Sequence, residues 1–272
     1  MYSSFQLAIR YVRYWITASN GKGHGVHSPF VFEFITQVLN DNREYYCYAT
    51  LEKLRQQLKN DNTEIMFDDF GARTKTFLPY KKKVSDIVSG SLKPKKFAQL
   101  FFRMINFYFH EEFLGRPANI LEMGTSLGIT TAYLASANTN NKVITMEGAK
   151  TVANIAKKNF QQLELKNVQI KEGHFDYTLT EAISTLSTID FAFIDGNHLK
   201  VPTMLYFKEI LTKTTEHSIL IFDDIHWSKK MEEAWEYIKE HPSVTLSIDL
   251  FFAGIVFFRK EQRVKQHFTI RF

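Results

Sequence analysis

The residues with the clearest chemical potential lie in residues 120–134, where a short apolar run is followed by a glycine turn and the start of a helix. Gly124 and Gly128 allow the backbone to bend sharply and to approach a ligand closely, because glycine has no Cβ. Thr125 and Ser126 add hydroxyl groups and backbone N–H donors at the helix N-terminus, where such donors lack partners within the helix. The stretch therefore predicts a binding site for a polar or anionic small molecule.

The spacing of this turn excludes two common nucleotide-binding patterns. Dinucleotide-binding loops have the pattern Gly-x-Gly-x-x-Gly, and phosphate-binding loops end in Gly-Lys followed by Ser or Thr. The turn instead reads Glu122-x-Gly124-x-x-x-Gly128 and contains no lysine. A second β-type run over 142–147 ends in Glu147, 23 positions after Gly124. A carboxylate at the tip of a second strand can accept hydrogen bonds from both hydroxyl groups of a ribose; the alternative is a βαβ unit whose glycines serve only a tight turn.

These two motifs resemble motif I and the acidic strand end that follows it in the class I S-adenosylmethionine-dependent methyltransferases. The resemblance spans about residues 117–260 and implies that the cofactor is S-adenosyl-L-methionine. It places His174 and Phe175 near the adenine, where Phe175 either stacks on the ring or belongs to the core. The implied cofactor-binding residues are Glu122, Gly124, Thr125, Ser126, Gly128, Glu147, Gly148, His174, Phe175 and Asp195.

A second motif, Asp-Gly-Asn-His at 195–198, follows the fourth β-type run and resembles that of O-methyltransferases of the catechol and caffeoyl-CoA type. In that group an Asp here and an Asp-Asn pair after the fifth strand hold a divalent metal, and a lysine three positions after the first Asp is the general base. The resemblance implies metal ligands at Asp195, Asp223 and Asp224 and catalytic roles for Asp195 and His198. The chain departs from the pattern twice, because Asp224 replaces the usual Asn and His198 replaces the Lys.

Three carboxylates around one point repel one another unless a cation lies among them. Ligation by oxygen alone suits Mg²⁺ or another hard divalent cation, which would bind the substrate oxygen and lower the pKa of its hydroxyl. His198, with an ordinary pKa of about 6.5, would then act as general base. Metal-free relatives also carry acids at these strand ends, so a site without metal is the alternative. His226 and Trp227 either complete the pocket or serve as a helix cap and a core residue.

Strands and helices alternate after residue 117, which predicts an α/β fold: a Rossmann-like, doubly wound, mostly parallel sheet of seven strands. The last two β-type runs are too close for a crossover helix, so the sheet is expected to end in an antiparallel hairpin. Residues 1–116 are predicted to form an N-terminal helical cap or substrate region, and residues 117–272 the S-adenosylmethionine-binding methyltransferase domain. The predicted strands cover residues 118–123, 142–147, 168–172, 190–195, 218–224, 244–250 and 255–258.

The composition supports a folded, cytoplasmic protein. The chain of 272 residues is 44% hydrophobic and 15% aromatic, which can supply a sizeable core. Its single cysteine, Cys47, excludes an internal disulfide framework and suits a reducing compartment. No apolar run is long enough to span a bilayer, and no secretory signal is expected. The chain has a net charge of +5, and its basic excess lies in residues 1–116, which carry 17 Lys/Arg against 11 Asp/Glu.

Several features of the N-terminal region leave the partner open. The basic, aromatic helix predicted over 3–18 suits packing on its own domain, a homodimer or, less favoured, a membrane surface. His24 and His27 lie on a glycine loop that could line a substrate mouth, and the Asp68-Asp69 segment is either a cap or an ion-pair partner of nearby lysines.

The motifs favour O-methylation of a small molecule over N-methylation of nucleic acid, because methylases of exocyclic amines usually carry Asp/Asn-Pro-Pro-aromatic after strand four. The alternatives are a methyltransferase acting on RNA or a membrane lipid, guided by the basic region, and a cofactor-binding module without catalysis.

Overall fold

The computed structural model describes residues 1–67 and 80–272, which form two compact units. The terminal unit comprises residues 1–41 and 187–272, and the central unit comprises residues 42–186. The predicted domain boundary near 115–117 falls within the central unit, so the division of the chain into residues 1–116 and 117–272 stays a prediction. The Asp68-Asp69 segment lies outside the described residues.

The described elements follow one another along the chain as helices and short strands. The helices are α1 (Ser4–Thr17), α2 (Pro29–Glu33), a π-helical continuation (Phe34–Leu39), α3 (Tyr48–Lys59), α4 (Val84–Ser91), α5 (Lys95–Tyr108), α6 (Glu111–Leu114), α7 (Ile129–Ser136), α8 (Lys150–Gln162), α9 (Phe175–Ser184), α10 (Lys200–Leu211) and α11 (Lys229–Lys239). The strands are β1 (Glu64–Phe67), β2 (Tyr80–Lys83), β3 (Asn119–Met123), β4 (Lys142–Glu147), β5 (Val168–Glu172), β6 (Phe191–Ile194), β7 (Ile219–Asp223), β8 (Leu246–Asp249), β9 (Ala253–Phe257) and β10 (Gln266–Thr269).

In the central unit, β3, β4 and β5 lie side by side and are all parallel. In β3 the apolar residues Ile120, Leu121 and Met123 are fully buried, as expected for a strand covered on both faces. Strand β5 instead alternates apolar and polar residues and is partly exposed. The register pairs Met123 with Met146, and Glu147 with Glu172. The carboxyl ends of the three strands therefore meet at one edge, where the glycine turn begins.

In the terminal unit the strand order is β10-β8-β9-β7-β6. Strands β6 and β7 are parallel, whereas β9 runs antiparallel to both β7 and β8. The predicted mixed α/β fold, mostly parallel and finished by an antiparallel hairpin, is confirmed. Strand β10, which pairs in parallel with β8, is an addition that the sequence did not predict.

The predicted helices of the N-terminal region are present. The structure adds the strands β1 and β2 to them and divides one predicted helix into two. The antiparallel pair β1–β2 was not predicted, since both strands are only four residues long and neither contains a buried residue. The helix expected over 84–110 is two helices, because Pro94 lies immediately before α5 and restricts the preceding residue to an extended backbone. Ser28 caps α2 with proline at its first turn, as predicted.

Helix α1 is apolar on both of its faces. Tyr14 points inward and is buried, and the hydroxyl of Tyr14 donates to the carbonyl of Ile270. Phe5, Ile9, Val12 and Ile16 recur at helical spacing on the outward face and are exposed. The predicted contacts of this helix with a second copy or a membrane stay predictions. Within the described residues, no helix combines the length and hydrophobicity needed to cross a bilayer.

Candidate functional site

The glycine turn of the central unit is fixed to the neighbouring strand by its backbone. The N–H groups of Gly124 and Thr125 both donate to the carbonyl of Met146, at 3.0 Å, and the N–H of Gly128 donates to the carbonyl of Thr125, at 2.9 Å. Gly124 has φ 99° and Gly128 has φ 83°, both in the left-handed region that favours glycine. Glycine occupies two of the three turn positions with positive φ, and Ser126, at φ 48°, is the third.

Glu147, at the end of β4, holds the turn through its carboxylate. Oε2 accepts from the backbone N–H of Ser126, at 2.8 Å, and Oε1 accepts from that of Ala149, at 2.9 Å. Burial raises the pKa of Glu147, although the N–H groups of Ala149, Ser126 and Gly148 partly offset that effect. A carboxylate has about four lone-pair sites, so Glu147 can still accept a hydrogen bond from a ligand.

Glu122 lies beneath the turn rather than in its mouth. Its side chain is fully buried, and its Oε2 accepts from the hydroxyls of Thr131 and Thr145, the latter at 2.7 Å. Thr145 also shares a hydrogen bond of 2.6 Å with the Thr125 hydroxyl. The buried Glu122 side chain is therefore not exposed to a cofactor, and its predicted cofactor contact stays a prediction. Through Thr145, Glu122 instead helps to orient the hydroxyl of Thr125.

Two further parts of the central unit border the turn. Ser91, the last residue of α4, has its Oγ 2.8 Å from the Oγ of Ser126. No motif marks Ser91, so the sequence could not have indicated it. At the end of β5 the N–H of Gly173 donates to the carbonyl of Glu147, at 2.9 Å. His174 then caps α9 and is exposed, whereas Phe175 is half-buried.

The terminal unit brings together Asp195, His198 and Asp223. Strands β6 and β7 pair Ile194 with Phe222, so Asp195 and Asp223 each occupy the next position at the same edge. One ligand atom from each of Asp195, His198 and Asp223 lies within 4.8 Å of the others. The His198 Nε2 is 3.4 Å from the Asp195 Oδ1.

A tight turn directs His198 back towards Asp195. Asn197 and His198 have φ values of 67° and 34°, and the N–H of His198 donates to the carbonyl of Gly196, at 2.9 Å. The amide of Asn197 also donates to the hydroxyl of Tyr206, at 3.1 Å, which anchors the turn on α10. Non-glycine residues in this region are uncommon and cluster at functional sites.

In the described part of the chain, Asp224 is not a member of the group formed by Asp195, His198 and Asp223. It has φ 51°, and its N–H donates to the carbonyl of Phe252, at 2.9 Å. The sequence grouped Asp224 with Asp195 and Asp223, whereas the structure groups His198 with them. The roles of all four as ligands or catalysts stay predictions.

His226 belongs to a separate network in the terminal unit. Its Nε2 is 2.8 Å from Asp249 Oδ2, and its Nδ1 is 3.1 Å from Glu232 Oε1. Burial lowers the pKa of His226, but the hydrogen bonds and charges of Asp249 and Glu232 outweigh burial and raise it overall. Helix α11 is capped by Ser228, so His226 is not its cap.

Three other residues that the sequence singled out in this unit are His24, His27 and Trp227, and only Trp227 lies near the group of three. His24 and His27 are exposed on their loop. Trp227 is half-buried, with its ring centroid 6.5 Å from that of His198. Trp227 is therefore a neighbour of the group of three, whereas the two loop histidines have no described contact with it.

Comparison with known proteins gives a domain assignment. Residues 121–225 match the family model of a methyltransferase domain. This segment contains the glycine turn, Glu147, Asp195, His198 and Asp223. No curated protein matches the chain.

Solved structures with a similar fold include three methyltransferases. An O-methyltransferase from Bacillus cereus in complex with SAH is 18% identical, with a TM-score of 0.53 over 84% of this chain and 97% of that one. The O-methyltransferase TomG from Streptomyces achromogenes, involved in tomaymycin synthesis and in complex with SAM, is 14% identical, with a TM-score of 0.54 over 84% and 95%. An SAH-bound methyltransferase from Podospora anserina is 13% identical, with a TM-score of 0.53 over 81% and 100%. At these identities the likeness establishes the fold.

Proposed function

We propose that this chain, in which residues 121–225 form a class I S-adenosylmethionine-dependent methyltransferase domain, transfers a methyl group to an oxygen atom of a small molecule. The observation that carries the proposal is the position of the Glu147 carboxylate, held against the glycine turn by the N–H groups of Ser126 and Ala149. This arrangement combines an acceptor for ribose hydroxyls with a turn that a cofactor can approach.

The central unit provides the groups that the cofactor needs. The Glu147 carboxylate, fixed by backbone N–H groups of the turn, is the acceptor that we assign to the ribose hydroxyls. The turn beside it is half-buried at Gly124 and Ser126, so its backbone is open to a ligand. Phe175 is a half-buried aromatic residue that follows the next strand, and we assign it to stacking on adenine. These residues fit S-adenosylmethionine, and no lysine for a phosphate chain is present in the turn.

The terminal unit provides groups that can activate an acceptor. Methyl transfer is an in-line displacement in which the acceptor oxygen bonds to the methyl carbon as the carbon–sulfur bond breaks. The acceptor hydroxyl must lose its proton, and the cluster of Asp195, His198 and Asp223 promotes that loss. A divalent cation held by this cluster would lower the pKa of the hydroxyl. The rest of the rate enhancement comes from positioning the two reactants.

The direct test is production of S-adenosylhomocysteine from S-adenosylmethionine with a panel of hydroxylated small molecules. Asp223→Asn keeps the size of a side chain that is 3% exposed but removes its charge. We expect this variant to lower kcat about 100-fold, within the usual range for losing acid–base assistance. Its affinity for S-adenosylmethionine, measured by calorimetry, should stay unchanged, because Asp223 is assigned to the acceptor.

The same panel should include RNA and vesicles of anionic lipid, which represent the alternative acceptors. Turnover of either in preference to the small molecules would contradict the proposed acceptor class but not methyl transfer. Absence of turnover with every acceptor, from a protein that binds the cofactor, would instead favour a module without catalysis.

The affinity for S-adenosylmethionine is expected to fall on acidification at a higher pH than an ordinary glutamate would give. Only the ionised carboxylate can accept the ribose hydroxyls without one of its oxygens carrying a proton. Burial raises the pKa of Glu147 above the ordinary 4.5. Affinity should therefore be full above this raised pKa and should decline as the pH falls through it. Calorimetric Kd values between about pH 5 and pH 8 should show the decline in the wild type. Glu147→Gln, which has no proton to gain, should bind weakly and without this pH dependence.

A further inference from the structure

We infer that Asp195, His198 and Asp223 form a metal site in which His198 is a ligand, and that this histidine makes the site prefer a transition-metal ion over Mg²⁺. The inference deepens the proposed function, because it names the ion that would assist the acceptor, but the metal preference can be measured without any turnover. It differs from the ligand set that the sequence predicts, in which Asp224 is the third ligand and His198 is a base.

The distances within the group suit one ion. Two ligand atoms that bind the same ion at about 2.1 Å lie at most about 4.2 Å apart. The His198 Nε2 and Asp195 Oδ1 are 3.4 Å apart, and all three candidate atoms lie within 4.8 Å of one another. The 3.4 Å pair satisfies this limit, and no pair exceeds it by more than about 0.6 Å.

The backbone holds the group in place from two directions. Asp195 and Asp223 follow paired positions of the parallel strands β6 and β7, so their separation is set by the sheet. His198 reaches Asp195 only because Asn197 and His198 adopt φ values of 67° and 34°. An unfavourable backbone conformation that turns an imidazole towards a carboxylate is consistent with a functional constraint at His198.

Asp224 has a different environment from the other two carboxylates. Its backbone has φ 51°, and its N–H donates to the carbonyl of Phe252. It is not among the residues whose ligand atoms gather with Asp223. The third donor at this site is thus the nitrogen of His198 rather than an oxygen of Asp224.

The change of donor changes the expected ion. Three carboxylates make an all-oxygen set, which suits hard cations such as Mg²⁺. Two carboxylates and one imidazole suit Mn²⁺, Co²⁺ and Zn²⁺, for which nitrogen ligands are favourable and affinity rises along the Irving–Williams order. If the His198 Nε2 lone pair binds the ion, that nitrogen cannot also take the acceptor proton. His198 then contributes to acceptor activation through the ion that it holds.

The test is a titration of the chelator-treated full-length chain with Co²⁺, Zn²⁺ and Mg²⁺, followed by calorimetry and, for Co²⁺, by visible absorption. We expect Co²⁺ and Zn²⁺ to bind about 100-fold more tightly than Mg²⁺. In the wild type, Co²⁺ should also produce a hyperfine-shifted imidazole N–H resonance in the NMR spectrum, which needs no variant. Equal affinities for Co²⁺ and Mg²⁺, no binding of either, or no such resonance would overturn the inference.

Two variants separate the two ligand sets. His198→Asn removes the imidazole, and Asp224→Asn removes the alternative carboxylate; asparagine tolerates the left-handed backbone of both positions. We expect His198→Asn to weaken Co²⁺ binding about 10-fold or more, because the loss of a residue that merely positions a ligand already costs that much affinity. The ratio of the Co²⁺ affinity to the Mg²⁺ affinity should also fall. Asp224→Asn should leave both affinities unchanged. If Asp224→Asn weakened Co²⁺ binding and His198→Asn did not, Asp224 would be the third ligand and His198 would be the general base.

Calorimetry with S-adenosylmethionine on the same samples keeps the two proposals apart. A protein that binds Co²⁺ through His198 but not the cofactor would contradict the proposed function alone. A protein that binds the cofactor but shows no preference for Co²⁺ would contradict this inference alone. Thermal unfolding of each variant checks that a lost affinity does not come from a lost fold.

Discussion

Replacing Glu147 with alanine is expected to weaken the binding of S-adenosylmethionine about 100-fold. The Glu147 carboxylate is the group that we propose accepts the ribose hydroxyls, and it also accepts from the N–H of Ser126 at 2.8 Å. Hydrogen bonds to a charged group contribute about 1.5–3 kcal/mol each, and every 1.4 kcal/mol is tenfold in affinity. Isothermal titration calorimetry of wild type and variant measures the loss directly.

The matched control for this variant is Glu172→Ala. Glu172 ends the adjacent strand and is paired with Glu147 in the register, but its carboxylate is bound to Lys157. We expect its removal to leave the cofactor affinity unchanged. Glu147→Gln should lie between the wild type and the alanine variant, because the amide keeps one acceptor but no charge. Equal affinities for the wild type and Glu147→Ala would show that the cofactor assignment is wrong.

The strands that carry the site were predictable because burial on both faces forces a recognisable composition. The segments that become β3, β6 and β7 are almost wholly apolar, and each is followed by a glycine or an acid. Parallel strands place these ends at one edge of their sheet, so the pairing of Asp195 with Asp223 follows from the pattern alone. The short, mostly polar strands β2 and β10 could not be found in this way, because such strands depend on a partner strand for their stability.

The positions of the side chains within the candidate site depend on backbone conformations that cannot be predicted from the sequence. The spacing of three residues between Asp195 and His198 is compatible with a base or with a ligand. The positive φ values at Asn197 and His198 decide that the imidazole faces Asp195. In the same way, the spacing of motif I cannot show that Glu122 is enclosed by Thr131 and Thr145, which come from other elements.

Gly128→Ala is expected to destabilise the protein by about 3 kcal/mol, for two reasons that the structure separates. A Cβ at this position would lie 2.5 Å from Cε1 and 2.8 Å from Cζ of Phe160, whose ring is 6% exposed and packs against the turn. Overpacking of this kind costs about 1–3 kcal/mol. The backbone, at φ 83°, adds about 1–2 kcal/mol for any residue with a Cβ. Urea unfolding of the variant and the wild type measures the sum.

Gly115→Ala isolates the backbone cost. Gly115 has φ 67°, and a Cβ there would meet nothing within 4 Å, so we expect a loss of only about 1 kcal/mol. Combining Gly128→Ala with Phe160→Leu, measured against Phe160→Leu alone, should recover part of the loss, because the shorter side chain vacates the contact. Equal losses at Gly115 and Gly128 would mean that the Phe160 ring moves aside without cost. The glycine at position 128 would then be required by the turn, and not by the helix α8 that packs beneath it.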